Sequence, residues 1–208
     1  MKFPTRYGHL IDFDNPNVGA IDIKDIVNSL SHICRFNGHS KHHYSVAQHS
    51  VLVASAFVKP DEKLYALIHD AHEAYTGDLT SPFKSYLETK SPNIIRNVEN
   101  RLDGAIHKYF ELEYPVPIEI KEKVKHADRK ALATEARDLT KTRHKDHIMT
   151  LQKLPEPFPE RIEPLSHKQA HKLLMAELKT TEAELLASRI ASRPKTFRGQ
   201  MMLPGFEK

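Results

Sequence analysis

The 208-residue chain is 39% apolar and 28% charged, with 31 Lys and Arg against 27 Asp and Glu for a formal net charge of +4. It is long enough to build one full hydrophobic core, and no apolar run approaches the ~18 residues of a membrane-spanning helix, so membrane contact is not expected. The positive charge is spread along the chain rather than gathered in a Lys/Arg block, which argues against nucleic acid as a partner, although a local positive field would attract nucleotide phosphates.

The single cysteine, Cys34, excludes an internal disulfide, and its place in an apolar helical pattern reads as a buried structural thiol. The opening Met1-Lys2-Phe3-Pro4-Thr5-Arg6 leads into charged sequence and not into an apolar leader, so a cytoplasmic protein is expected. No shift in composition divides the chain. One all-α domain over 1–208 is therefore expected, with five or more principal helices, a core at about 22–145, a C-terminal helix at 166–190 and a tail at 194–208.

Residues 1–20, with Pro4, Gly8, Pro16 and Gly19, read as irregular structure with a short extended piece near 9–13. Asp22 can cap a helix carrying Ile23, Ile26, Val27, Leu30 and Ile33 at helical spacing and ending near Arg35-Phe36, before Asn37-Gly38. The loop His39-Ser40-Lys41-His42-His43 is the densest cluster among 14 histidines. It is either a solvated loop or a phosphate-binding one in which Lys41, His42 and His43 take part.

Ser45 then opens a helix through Val46, His49, Val53 and Phe57, closed by Lys59-Pro60. From Pro60 to Ala74 the apolar set Leu64, Ala66, Leu67, Ile68 and Ala71 describes a largely buried helix that delivers His69, Asp70 and Glu73. On one continuous helix Asp70 and Glu73 are i and i+3, and His69 and Glu73 are i and i+4, so the three side chains can share one cavity. Burying two carboxylates without a cation is costly, and a metal resolves the conflict.

Thr76-Gly77-Asp78 breaks that helix, Ser81-Pro82 permits a short one, and Ser91-Pro92 starts another through Ile94, Val98, Leu102 and Ile106. Pro115-Val116-Pro117 links to the longest helical stretch, Ile118 to about Arg143, which carries Asp128 after Ala127 on its inner side. Glu135 is the nearest competing acid, two turns on. Four prolines at 155, 157, 159 and 164 mark a loop, and Ser166 caps a last helix reaching Ile190. The tail ends Gln200-Met201-Met202-Leu203-Pro204-Gly205-Phe206, whose spacing is similar to sliding-clamp binding peptides, although a docked tail is the stronger expectation.

His49, His69, Asp70 and Asp128 together offer two imidazoles and two carboxylates. That donor set suits a divalent metal such as Co, Mn, Zn, Ni or Fe in a site that keeps positions for water and substrate. The pattern resembles the HD superfamily of metal-dependent phosphohydrolases, whose signature is H…HD…D on separate helices. Within it, His69-Asp70-Ala71-His72-Glu73 followed by Thr76-Gly77-Asp78-Leu79, Pro82 and Lys84 is most similar to bacterial 5'-deoxynucleotidases and related phage deoxynucleoside triphosphohydrolases.

The resemblance covers roughly residues 26–137. It implies an HD-domain helical bundle with His49, His69, Asp70 and Asp128 as metal ligands. It also implies Glu73 and Asp78 as the acids serving the attacking water and leaving group, and Arg35-Phe36 at the phosphate and sugar, where those enzymes carry Arg-Trp. Arg35 and Lys84 would neutralise phosphate charge. The expected activity is dNMP 5'-nucleotidase, with dNTP triphosphohydrolase as the alternative and signalling-nucleotide hydrolase or a non-catalytic nucleotide-binding module behind it. A small-molecule nucleotide is the expected partner, in a homo-oligomer.

Overall fold

The computed structural model describes residues 1–140 and 153–192. Within them the protein is an all-α bundle whose strands amount to one small hairpin, β1 (Lys2–Pro4) and β2 (Leu10–Asp12), paired antiparallel with Phe3 opposite Ile11. The helices are α1 (Ile23–His32), α2 (Val46–Ala54), α3 (Pro60–Ile68), α4 (Glu73–Thr76), α5 (Ser81–Lys90), α6 (Ile94–Tyr109), α7 (Ile118–Leu139) and α8 (His167–Ala191), with 3-10 turns at Val18–Ala20 and Arg35–Gly38. The 194–208 tail, with its clamp-like spacing, lies outside the described residues, as do 141–143 at the end of the longest expected helix.

The helix starts follow local chemistry. Asp22 accepts the Lys24 N–H, Ser45 accepts that of Gln48, and Ser166 forms a reciprocal capping box with Gln169. Each side chain satisfies an amide that the first helical turn leaves without an intrahelical partner. Pro60 enters α3 at its first position, where its missing N–H costs nothing.

At the centre lies α2, buried on nearly every side and packed against α1, α3, α7 and α8. The long α8 crosses α1, α2 and α3, inserting Leu174 and Leu178, both buried, beside Leu30, Leu64 and Leu67. Each such leucine contributes about 1.5–3 kcal/mol by leaving water. The irregular segment 153–165 returns over α2 and α7, with Phe158 N–H donating to Thr134 Oγ1 at 2.9 Å.

Three expected helices end early, among them α2, which stops at Ala54 and does not reach Phe57. α1 stops at His32 because Ile33 and Cys34 go extended to pair with the strand-like entry to α2. Val46 N–H donates to Ile33 O at 3.1 Å, and Arg35 N–H to Tyr44 O at 2.9 Å. Arg35 therefore sits in a 3-10 turn and not at a helix end, and Cys34 is half-buried, with Sγ 3.1 Å from His43 Nδ1, not sealed in the core. The expected helix from Pro60 to Ala74 is also two pieces, with His69 to His72 between them as tight turns.

Candidate metal centre and cleft

His49 projects from the central helix into the protein interior and is fully buried. Its Nδ1 lies 2.6 Å from Glu135 Oε1 on α7, so Nδ1–H donates and Nε2 faces the opposite way. His69 follows the same logic with a different partner: its Nδ1 stands 2.8 Å from Ala66 O. Both imidazoles thus present Nε2 to one point, with ring centroids 5.3 Å apart.

The break after Ile68 is what turns the His69-Asp70 pair. Ala71 N–H bonds Ile68 O at 2.9 Å, Glu73 N–H bonds Asp70 O at 3.0 Å and Ala74 N–H bonds Ala71 O at 3.2 Å, all with the tighter three-residue spacing of 3-10 geometry. His69, Asp70 and Glu73 still meet one space, but through a succession of turns and not a straight helical face. Asp70 Oδ2 lies 3.1 Å from His69 Nε2 and 3.6 Å from His49 Nε2. The ligating atoms of His49, His69 and Asp70 all fall within 4.8 Å of one another, and this group can hold a metal ion.

Asp128, the other sequence candidate, comes from α7 and places Oδ1 3.2 Å from His49 Nε2. The donor chemistry fits a cation. Both Nε2 atoms are buried and make no hydrogen bond of sound geometry, although carboxylate oxygens stand beside them. A buried ring nitrogen in that position is costly unless something positive accepts its lone pair.

Beside this group opens a cleft of about 500 Å³ lined by Arg35, Phe36, Asp70, Glu73, Asp78, Lys84 and Asp128, with Leu79 to Pro82 and Leu132 completing the wall. Arg35 extends NH2 to Glu135 Oε2 at 3.1 Å and NH1 to Asp70 Oδ2 at 3.7 Å. Phe36 adopts a left-handed backbone, φ 57°, and its ring centroid lies 5.7 Å from the Arg35 guanidinium carbon. Lys84, from the first turn of α5, pairs with Glu99 of α6 at 2.9 Å. Lys41, His42 and His43 are exposed and do not line the cleft.

The charges respond to this crowding. Burial and the Arg35 charge oppose protonation of His49, but Glu135 and Asp128 outweigh them and push it up to about 9. The proton this places on Nε2 is the one a metal ion bound there would displace. Burial works against an ionised Asp70, yet His69, His49 and Arg35 hold it well below the usual carboxylate range. Asp128 and Glu135 are likewise held down against burial, the first chiefly by His49, the second by Arg35 and His49.

Glu73 goes the other way. Burial, reinforced by Asp70 and Asp78, drives its carboxyl well above the usual range, and its Oε2 has no hydrogen-bond partner. Burial also raises Asp78. One small space therefore contains acids poised ionised and acids poised to carry a proton.

Several supporting residues escape a reading by motif. Glu135 shares the inner stripe of α7 two turns past Asp128, a visible signal, but its role comes from partners 86 and 100 positions away. Glu99 and Asp103, an i,i+4 pair on α6, hold Lys84 and His72 respectively. Asp103 Oδ1 lies 2.9 Å from His72 Nδ1. Nothing in a solvated-looking acidic pair distinguishes these from surface charges.

No family model matches the chain. It is 42% identical over 135 residues to the uncharacterized protein YfdR of Escherichia coli K12, covering 65% of this chain and 70% of that protein. The chain belongs to the family of YfdR. An uncharacterized protein of Rhodobacter capsulatus is 32% identical over 140 residues, 64% of this chain and 69% of its own length. No described helix is long and apolar enough to cross a membrane.

Proposed function

We propose that this protein is a metal-dependent phosphohydrolase of the HD superfamily that removes phosphate from deoxynucleoside monophosphates. The observation that carries this reading is the pair of buried Nε2 atoms of His49 and His69, beside carboxylate oxygens of Asp128 and Asp70 but without a hydrogen bond of sound geometry, converging on Asp70 at the edge of a cleft that also contains a buried acid and two cations. His49, His69 and Asp70, joined by Asp128, would hold the divalent ion, of the Co, Mn, Zn, Ni or Fe class. When bound, that ion supplies Lewis acidity toward a phosphoryl oxygen.

The remaining chemistry belongs to the side chains. Glu73, once the charge of a bound cation offsets the burial that keeps it protonated, would take the proton of the attacking water through its free oxygen, and Asp78, raised by burial, would hand a proton to the leaving oxygen. Arg35 and Lys84 face the phosphate charge, Arg35 fixed by Glu135 and Lys84 by Glu99. Phe36 offers an aromatic face to the nucleoside. Arg35 and Lys84 are the cationic side chains of the cleft wall, and each is already ion-paired, which suits one phosphate better than the three of a dNTP.

Incubation with dAMP or dATP in the presence of Mn(II) or Co(II) tests the reading. Inorganic phosphate from dAMP is the expected result. Intact triphosphate from dATP with dAMP untouched replaces it by triphosphohydrolase activity, and no release from any nucleotide leaves a binding module.

A further inference from the structure

Glu135 is fully buried, and each of its two oxygens serves a different functional residue. Oε1 accepts from His49 Nδ1–H at 2.6 Å, and Oε2 accepts from Arg35 NH2 at 3.1 Å. An arginine fork and an imidazole N–H are both donors, so the group between them must accept twice. A carboxylate does this; an amide of the same shape accepts with its oxygen and turns a donor toward the other partner. Arg35 in addition reaches Asp70 Oδ2 at 3.7 Å, which closes a ring of contacts from His49 through Glu135 and Arg35 to Asp70.

We propose that Glu135 is the positioning residue of this site, fixing the tautomer and direction of His49 toward the metal while tying the Arg35 guanidinium to the same centre. The inference rests on the metal-dependent reading above and extends it to a residue that touches neither metal nor substrate. Its consequence is that the metal ligand His49 and the phosphate-facing Arg35 are set by one carboxylate and are disturbed together. Partners of this kind tune metal affinity because a freely turning imidazole must be ordered before it can ligate.

The experiment is a titration of metal-free protein with cobalt(II) alone, followed by the visible absorption of the ion, on wild type and on Glu135→Gln, with a thermal melt of each metal-free protein. The expected result is a cobalt Kd weakened about 10- to 100-fold in Glu135→Gln, in protein that still melts cooperatively. A purely structural role would lower the melting temperature but leave the Kd of the folded protein alone. A Kd within about twofold of wild type therefore overturns the proposal whatever the melt shows. If Glu135→Gln is unfolded at the assay temperature, Glu135→Met, of similar length but with neither acceptor, is used under the same criterion. Wild type that binds no cobalt overturns the metal-dependent reading itself, an outcome distinct from equal binding by wild type and variant.

Discussion

Lys84 Nζ stands 2.9 Å from Glu99 Oε1, across the α5–α6 pair and at the wall of the cleft. The helix that carries Lys84 buries none of its residues, so this ion pair rather than packing holds the ammonium in place. The exposed loop residues Lys41, His42 and His43 have no such tether to the cleft.

Lys84→Met is accordingly expected to lower kcat/KM on dAMP by about 10- to 150-fold, the worth of a charged hydrogen bond of about 1.5–3 kcal/mol, with metal affinity unchanged. Lys41→Ala and His42→Ala are expected to change it by less than about twofold. Steady-state kinetics on the three variants separate the cleft lysine from the loop residues, and equal losses in all three would contradict the role given to Lys84.

Asp70 faces His69, His49 and Arg35 at once, so Asp70→Ala is expected to lose bound metal and phosphatase activity together. Added metal should raise the melting temperature of wild type, since a ligand at about 100 times its Kd stabilises by about 2.7 kcal/mol, and should leave that of Asp70→Ala where it was. Elemental analysis showing full metal content in the purified variant would remove Asp70 from the ligand set.

Gly77 separates the α4 turn that holds Glu73 from the cleft-lining Asp78, and its φ of +78° with ψ of 160° belongs to a region that side chains other than glycine avoid. A Cβ there would meet nothing within 4 Å, so the cost of Gly77→Ala is in the backbone alone. A loss of about 1–3 kcal/mol in urea unfolding is expected, with activity falling beyond it as Asp78 is displaced. Unchanged stability would mean that the turn relaxes freely.

The caps at Asp22, Ser45 and Ser166 were legible because each satisfies amides two or three residues away, and the apolar spacing of α1 and α8 marked which faces go inward. The all-α architecture followed from those local signals. The break after Ile68 was not legible, since Leu64 to Ala74 carries neither Gly nor Pro and reads as one helix. The switch to 3-10 turns is expressed only in the backbone bonds. The group His49, His69 and Asp70 was visible as residue types in order, whereas Glu135, Glu99 and Asp103 acquire meaning from partners far along the chain that spacing does not encode.

The segment that returns over α7 is fastened at Asp138 as well as at Thr134 and Gln48. Asp138 Oδ1 accepts from Arg161 at 2.6 Å and from Arg137 Nε at 2.8 Å, while Oδ2 accepts from Arg137 NH2 at 2.8 Å and from the Ile162 amide at 3.0 Å. Arg137 in turn donates to Phe158 O and Glu160 O, both at 2.6 Å. Burial opposes the charge on Asp138, but the hydrogen bonds from Arg137, Ile162 and Arg161 prevail and hold its carboxyl well below the usual range. The folded value lies below the unfolded one of about 3.9, so the stabilisation is fully present above that pH and is lost as pH falls toward the folded value. Asp138→Asn cannot titrate and keeps only part of the network, at an expected cost of about 1–3 kcal/mol near neutrality. Urea midpoints of wild type and Asp138→Asn measured from about pH 7 to about pH 2 should therefore converge at the acid end, over the window these two pKa values set. A gap that stays constant across that range would show that the carboxylate charge of Asp138 is not what holds the segment down.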